Sequence, residues 1–207
     1  MMKLKTILKY TYKLVARLIR CIKSEINEIR SPIHKRYKNL IQSYKLSGLS
    51  TNRNQNIIKL NNCLNSLDLP LYDENKGMYS EHLIIFAALA NSSFRPKRIL
   101  EVGTYDGRTS SILSKLFPES YISTFDLKDE DPCFQKSYNR ENKIMEFIKN
   151  RNNILKNHDN INFIQRNSLE LTFYNEKQDL IWIDGAHGYP IATSDITNCI
   201  RLLKKGS

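Results

Sequence analysis

Apolar residues recur along residues 2–30 at Leu4, Leu8, Val15, Leu18, Ile22, Ile26 and Ile29, with Thr11 filling the remaining turn. A period near 3.6 predicts one long amphipathic helix. Lys3, Lys5, Lys9, Lys13, Arg17, Arg20 and Lys23 lie mainly off that stripe. Ser31-Pro32 ends it, because the residue before a proline avoids the α region. Residues 31–77 are polar and rich in Asn, Lys and Ser; they read as a second helical piece over Tyr37–Leu46 and then a loop or linker. An apolar helix is expected over Tyr79–Ala90. Beyond it the pattern alternates. Strands are predicted at Arg98–Val102, Tyr121–Phe125, Ile161–Gln165 and Asp179–Ile183, and helices at Thr109–Phe117, Asn142–Leu155 and Ile191–Lys204. Strand and helix in turn at this rhythm predict an α/β fold, a parallel sheet with helices on both faces. The division expected is residues 1–77 as a basic helical extension with its linker, and 78–207 as the α/β domain.

Charge sharpens that division. The chain has 207 residues and a formal net charge of +11. Residues 1–60 hold fourteen Lys/Arg and two acids, a net +12; residues 61–207 hold the remaining eighteen bases and nineteen acids, a net −1. A pI near 9.5 alone would suggest a nucleic-acid binder, but the partition removes that reading from the α/β domain, and no nucleic-acid partner is expected. The N-terminal helix lacks both the unbroken apolar core and the small-residue cleavage site of a secretory signal. It either packs on its own domain or a partner, or lies on an anionic membrane surface. No run approaches the roughly eighteen apolar residues of a membrane span. Cys21, Cys63, Cys133 and Cys199 have no CxxC spacing, which disfavours a zinc site or disulfide framework. A cytoplasmic protein with reduced thiols is the expectation, peripheral to a membrane if the helix binds one.

Ligands of open parallel sheets bind off the carboxyl ends of the strands, so the loops after the four strands carry the candidate chemistry. The first reads Glu101-Val102-Gly103-Thr104-Tyr105-Asp106-Gly107-Arg108-Thr109. Gly103 permits a tight turn, and Gly107 lets the next helix start close to the sheet or a ligand. The spacing is neither a phosphate loop nor a dinucleotide fingerprint. A strand-end carboxylate at Glu101 favours a cation, and the helix start favours a carboxylate. The methionine part of S-adenosylmethionine has both groups. A generic strand-to-helix turn is the plainer alternative. Asp126, 25 residues after Glu101, can accept from both hydroxyls of a ribose, or is a turn aspartate. Asn167 and Ser168 in the third loop could meet an adenine edge, or simply open the loop. In the fourth, Asp184-Gly185-Ala186-His187-Gly188-Tyr189 presents an acid and an imidazole together, suited to metal ligation or proton abstraction.

Taken in order and spacing, these motifs make residues 79–207 resemble a class I S-adenosylmethionine-dependent methyltransferase, of the small-molecule O-methyltransferase type whose fourth strand ends in Asp-Gly-x-His-x-Tyr. The resemblance implies a Rossmann-like sheet of order 3-2-1-4. It implies that Glu101, Gly103, Thr104, Tyr105, Gly107 and Thr109 surround the methionine part of the cofactor, that Asp126 holds the ribose, and that Asn167 and Ser168 lie by the adenine. Asp184 becomes a ligand of a divalent metal such as magnesium or a neighbour of the transferred methyl, and His187 a catalytic base. The implied reaction is methyl transfer to a hydroxyl of a small molecule or sugar. The family sheet has seven strands and only four are found here, so a truncated product, or a fragment of a longer enzyme, is expected. The rival expectation is a non-catalytic remnant that binds a partner or an anionic membrane through residues 2–30. An NAD-dependent oxidoreductase is disfavoured by the absent third glycine. The acceptor and the oligomeric state are not legible.

Overall fold

The structure is a computed structural model in which residues 41–73, 81–137 and 143–204 are described. The expected helix over residues 2–30 lies outside them. Contacts divide the chain between Thr51 and Asn52. In the first unit residues 41–46 are helical, as expected for the described part of Tyr37–Leu46.

The second unit begins with α1 (Arg53–Ser66), α2 (His82–Ala90), β1 (Arg98–Val102) and α3 (Arg108–Leu116). Then follow β2 (Tyr121–Asp126), α4 (Pro132–Lys136), α5 (Ile144–Leu155) and β3 (Ile161–Gln165). A 3-10 turn (Ser168–Phe173), β4 (Leu180–Ile183) and α6 (Ile191–Leu202) complete it. All strand pairs are parallel and the order is β3-β2-β1-β4, as expected. Among the described residues, no helix is long and apolar enough to cross a membrane.

The linker reading of residues 47–77 is corrected by α1. Five of its fourteen residues are Asn, a weak helix former, and that composition hides the pattern. Ile57, Leu60 and Leu64 nevertheless recur at helical spacing, and Asn52 caps the start by accepting from the Gln55 N–H. Leu60, Cys63 and Leu64 enter one core cluster with Ile84, Phe86, Ile99, Leu113 and Ile122. Asn56, fully buried, accepts from the Asn91 amide at 2.9 Å. Leu60 is completely enclosed, so Leu60→Ala should cost about 2–5 kcal/mol, read as a lower denaturant midpoint at unchanged m. An unaltered midpoint would mean that α1 is peripheral to the fold.

The opposite sheet face is covered by α6 and the 3-10 turn, which bury Leu100, Val102, Phe125, Leu171, Cys199 and Leu202. β1 is central and almost wholly buried; β4 is an edge strand, half-buried throughout. At the foot of β4, Asp179 accepts from the Lys97 and Arg98 N–H groups at 2.8 Å and from Lys204 at 2.6 Å. It thereby ties the entrances of β1 and β4. Beside it, Gln178 forms a lone parallel bridge with Leu203.

Candidate functional site

Three loops meet where β1 leaves the sheet. The Gly103 N–H donates to the Phe125 carbonyl at 2.8 Å, and the Asp184 N–H donates to the Val102 carbonyl at 2.7 Å. Gly103 has φ +104°, and a Cβ there would lie 2.3 Å from the Asp184 carbonyl oxygen. This glycine is therefore required by the passage of another backbone. Tyr105, also left-handed at φ +49°, donates its N–H to Asp126 Oδ2 at 2.8 Å. Asp126 Oδ1 accepts from the Leu127 N–H at 2.8 Å. The first and second loops are thus joined through the Asp126 carboxylate. Gly107 opens α3 at φ +80°, and its missing Cβ makes room for Leu155 of α5. Thr109 lies half-buried in the first turn of α3.

Glu101 is enclosed beneath this junction. Its Oε2 accepts from Ser110 and, at 2.7 Å, from Thr124, whose own hydroxyl meets that of the buried Thr104 at 2.6 Å. Oε1 is buried with no hydrogen-bond donor. Burial pushes the Glu101 pKa up to about 7; the Ser110 and Thr124 hydrogen bonds pull it down, and the Asp184 and Asp126 charges add to the rise. Folding thus favours the protonated acid. Stability from this group is complete below pH about 4.5 and falls as pH rises towards 7, by on the order of 3 kcal/mol. Glu101→Gln should flatten the pH dependence of the melting temperature between pH 4.5 and 7. An unchanged slope would show that Glu101 ionises freely.

Asn167 is exposed, and its side-chain oxygen accepts from the Leu169 N–H at 3.0 Å, capping the 3-10 turn. Ser168 is half-buried at the start of that turn. Asp184 and His187 are exposed. The expected metal on Asp184 finds no support in the donors around it. Among the described residues, no three His, Cys, Asp or Glu side chains come together as a group that could hold a metal ion.

Two residues of this edge escaped the sequence reading. His82 of α2 stacks on Trp182 with ring centroids 4.9 Å apart and meets Phe86 edge-on at 5.7 Å. Trp182 and Asp184 are two residues apart, on the same side of an extended chain, and the Asp184 charge reaches His82. Burial lowers the His82 pKa, against the opposing pull of Asp184. Asp195 of α6 is wholly buried. A Cβ on Gly185 would stand 3.5 Å from Asp195 Oδ2, so this carboxyl lies under the β4 exit. Burial raises its pKa and the Ser168 side chain opposes the rise. Its signal in the sequence is an acid in register with the buried Cys199 and Leu202 on the inner face of a helix.

No curated protein matches the chain. Among solved structures it is similar to the O-methyltransferase TomG of Streptomyces achromogenes, involved in tomaymycin synthesis and solved with S-adenosylmethionine. That match has 17% identity, a TM-score of 0.42, and covers 72% of this chain and 61% of that one. The S-adenosylhomocysteine-bound methyltransferase PaMTH1 of Podospora anserina matches at 16% identity and TM-score 0.43, over 71% and 56% of the two chains. Cofactor-bound Rv0187 from MTB matches at 18% and 0.45, over 73% and 62%. The chain thus spans less than two thirds of the length of each. Residues 100–207, from the middle of β1 onward, match the family described as a methyltransferase domain, and the chain belongs to that family.

Proposed function

We propose that this chain binds S-adenosylmethionine across the carboxyl edge of its sheet and transfers the methyl group to a hydroxyl of a small-molecule or sugar acceptor. The observation that carries this reading is the convergence of Glu101, Asp126 and Asp184 on the end of β1, joined by the Tyr105 and Asp184 N–H bonds. The residues fit the cofactor. Glu101 Oε1 is a buried acceptor without a donor, and an α-ammonium group approaching Gly103 supplies one. Asp126 ends β2 with an acceptor-only side chain of the kind that two ribose hydroxyls bond. The first turn of α3, entered through Gly107 and Thr109, offers backbone N–H groups to a carboxylate. Asn167 and Ser168 border the adenine side, with the Asn167 oxygen already engaged in its cap.

Bound there, S-adenosylmethionine supplies an electrophilic methyl on a sulfonium. The chain's own part is to orient the acceptor against it and to take the hydroxyl proton. Two imidazoles serve the β4 exit. His187 stands on the exposed loop; His82 is held against Trp182, where burial lowers its pKa against the pull of the Asp184 charge and so favours the neutral imidazole.

Calorimetry of the full chain with S-adenosylhomocysteine tests the proposal. Micromolar 1:1 binding is expected, weakened at least about tenfold by Asp126→Ala, the loss of hydrogen bonds to a charged group. A folded sample that gives no heat would instead favour a non-catalytic role as an interaction module.

A further inference from the structure

The amino edge of the sheet, away from Asp126 and Asp184, carries two adjoining cavities. One, of about 430 Å³, lies between α1 and α3 and is lined by Lys59, Lys115, Gln55, Asn62, Asn91 and Cys63, among others. The other, of about 290 Å³, is walled by Phe94, Pro96, Phe117 and Pro118, with Arg95 and Lys97 at its rim and Glu119 its one acid. Lys59 and Leu116 line both, so the two chambers adjoin along these side chains. Lys97 precedes β1 and Ser120 precedes β2, which fixes the location at the strand entrances.

Among the described residues the first chamber is cationic with no compensating acid in its lining, and neither Lys59 nor Lys115 has a carboxylate partner. Burial raises the Cys63 thiol to about 11, while the Lys115 and Lys59 charges pull it down, so both ammonium groups bear on one group in the chamber wall. Lys115 also suits the negative end of α3, in whose last turn it lies. That account does not extend to Lys59, in the middle of α1. Two like charges facing one cavity repel each other, a cost that a bound anion removes. Amide groups of Gln55, Asn62 and Asn91 line the same wall; the Asn91 amide is anchored on the fully buried Asn56.

We propose that these adjoining chambers form a second ligand site, for a small amphiphilic anion whose carboxylate or phosphate head lies between Lys59 and Lys115 and whose apolar body reaches past the shared Lys59 and Leu116 side chains into the Phe94–Phe117 chamber. The two volumes together are of the size of ligand pockets in general. The site is independent of the chemistry at the carboxyl edge.

Calorimetry of the full chain with phenyl phosphate provides the test. One site with a Kd of about 0.1–1 mM is expected for a ligand of this size. Lys59→Met/Lys115→Met should weaken it at least about tenfold by removing the charge-assisted bonds. Phe94→Ala should weaken it from the other end, and inorganic phosphate, lacking the apolar body, should bind at least about tenfold less tightly. Lys149→Met, on the exposed side of α5, should leave the affinity unchanged. Absence of saturable heat up to about 10 mM, an unchanged Kd in the double-lysine variant, or inorganic phosphate matching phenyl phosphate would each overturn the proposal.

Discussion

Gly103→Ala should abolish folding or cost more than about 4 kcal/mol. Two effects add. At φ +104° an L side chain is strained wherever it stands. The new Cβ would also lie 2.3 Å from the Asp184 carbonyl oxygen, 2.6 Å from its carbon and 2.8 Å from the Gly185 nitrogen. These are backbone atoms of the neighbouring strand exit, and no rotamer change can move them. The exits of β1 and β4 would have to separate, breaking the bond from the Asp184 N–H to the Val102 carbonyl. Thermal unfolding followed by circular dichroism checks the expectation. A variant melting within a few degrees of the parent would mean that the two exits are not packed so closely. Gly107→Ala is the instructive comparison, because its Cβ would meet side-chain carbons of Leu155 at 3.0 and 3.1 Å, which can shift.

Arg151→Met should be nearly as severe, at about 3–5 kcal/mol. Arg151 is wholly buried on α5, with its guanidinium 4.5 Å from the centre of the Phe163 ring and 5.6 Å from that of Phe134. It grips both oxygens of Asp129, at 2.8 and 3.0 Å. Asp129 lies three residues past Asp126, so the grip fixes the second loop of the candidate site. α5 braces the first loop too, through Phe147 against Tyr105 at 5.3 Å. Burial alone would raise the Asp129 pKa, but the Arg151 hydrogen bonds, with help from Gln165 and the Arg151 charge, bring it below 3.8. That stabilisation is present above pH 3.8 and is lost as pH falls below it. Chemical denaturation at pH 7 should show the loss in Arg151→Met, and NMR titration should find Asp129 raised. Arg151→Lys, which keeps the charge and loses the fork, should fall between parent and Met variant. Equal stability of all three would remove the clamp from the account.

The sheet was legible because parallel strands, covered on both faces, read as short apolar runs between breakers. Arg98–Val102 and Ile161–Gln165 were placed to the residue. Asp179, expected to open β4, instead staples two strand entrances with its side chain. α1 stayed hidden because a helix rich in Asn reveals itself only through the few apolar residues it buries. At the candidate site the loops were legible and the directions of side chains were not. Glu101 reads in the sequence only as a carboxylate at a strand end; that Ser110 and Thr124 occupy one of its oxygens beneath the loop, leaving the other without a donor, depends on elements distant in sequence. His82 and Asp195 went unnoticed for the same reason. Their significance depends on tertiary neighbours, the Trp182 ring and the Gly185 turn, which no local spacing announces.

The lone bridge between Gln178 and Leu203 leaves a larger fact beside it. Among the described residues nothing else pairs along the outer side of β4, where Leu180, Ile181, Trp182 and Ile183 are half-buried. Unsatisfied rungs next to apolar side chains form a template on which foreign backbone can polymerise. Lys177 and Lys204 stand at its foot as charged gatekeepers, so among the described residues the upper rungs of β4 are open to recruitment into aggregates as concentration climbs.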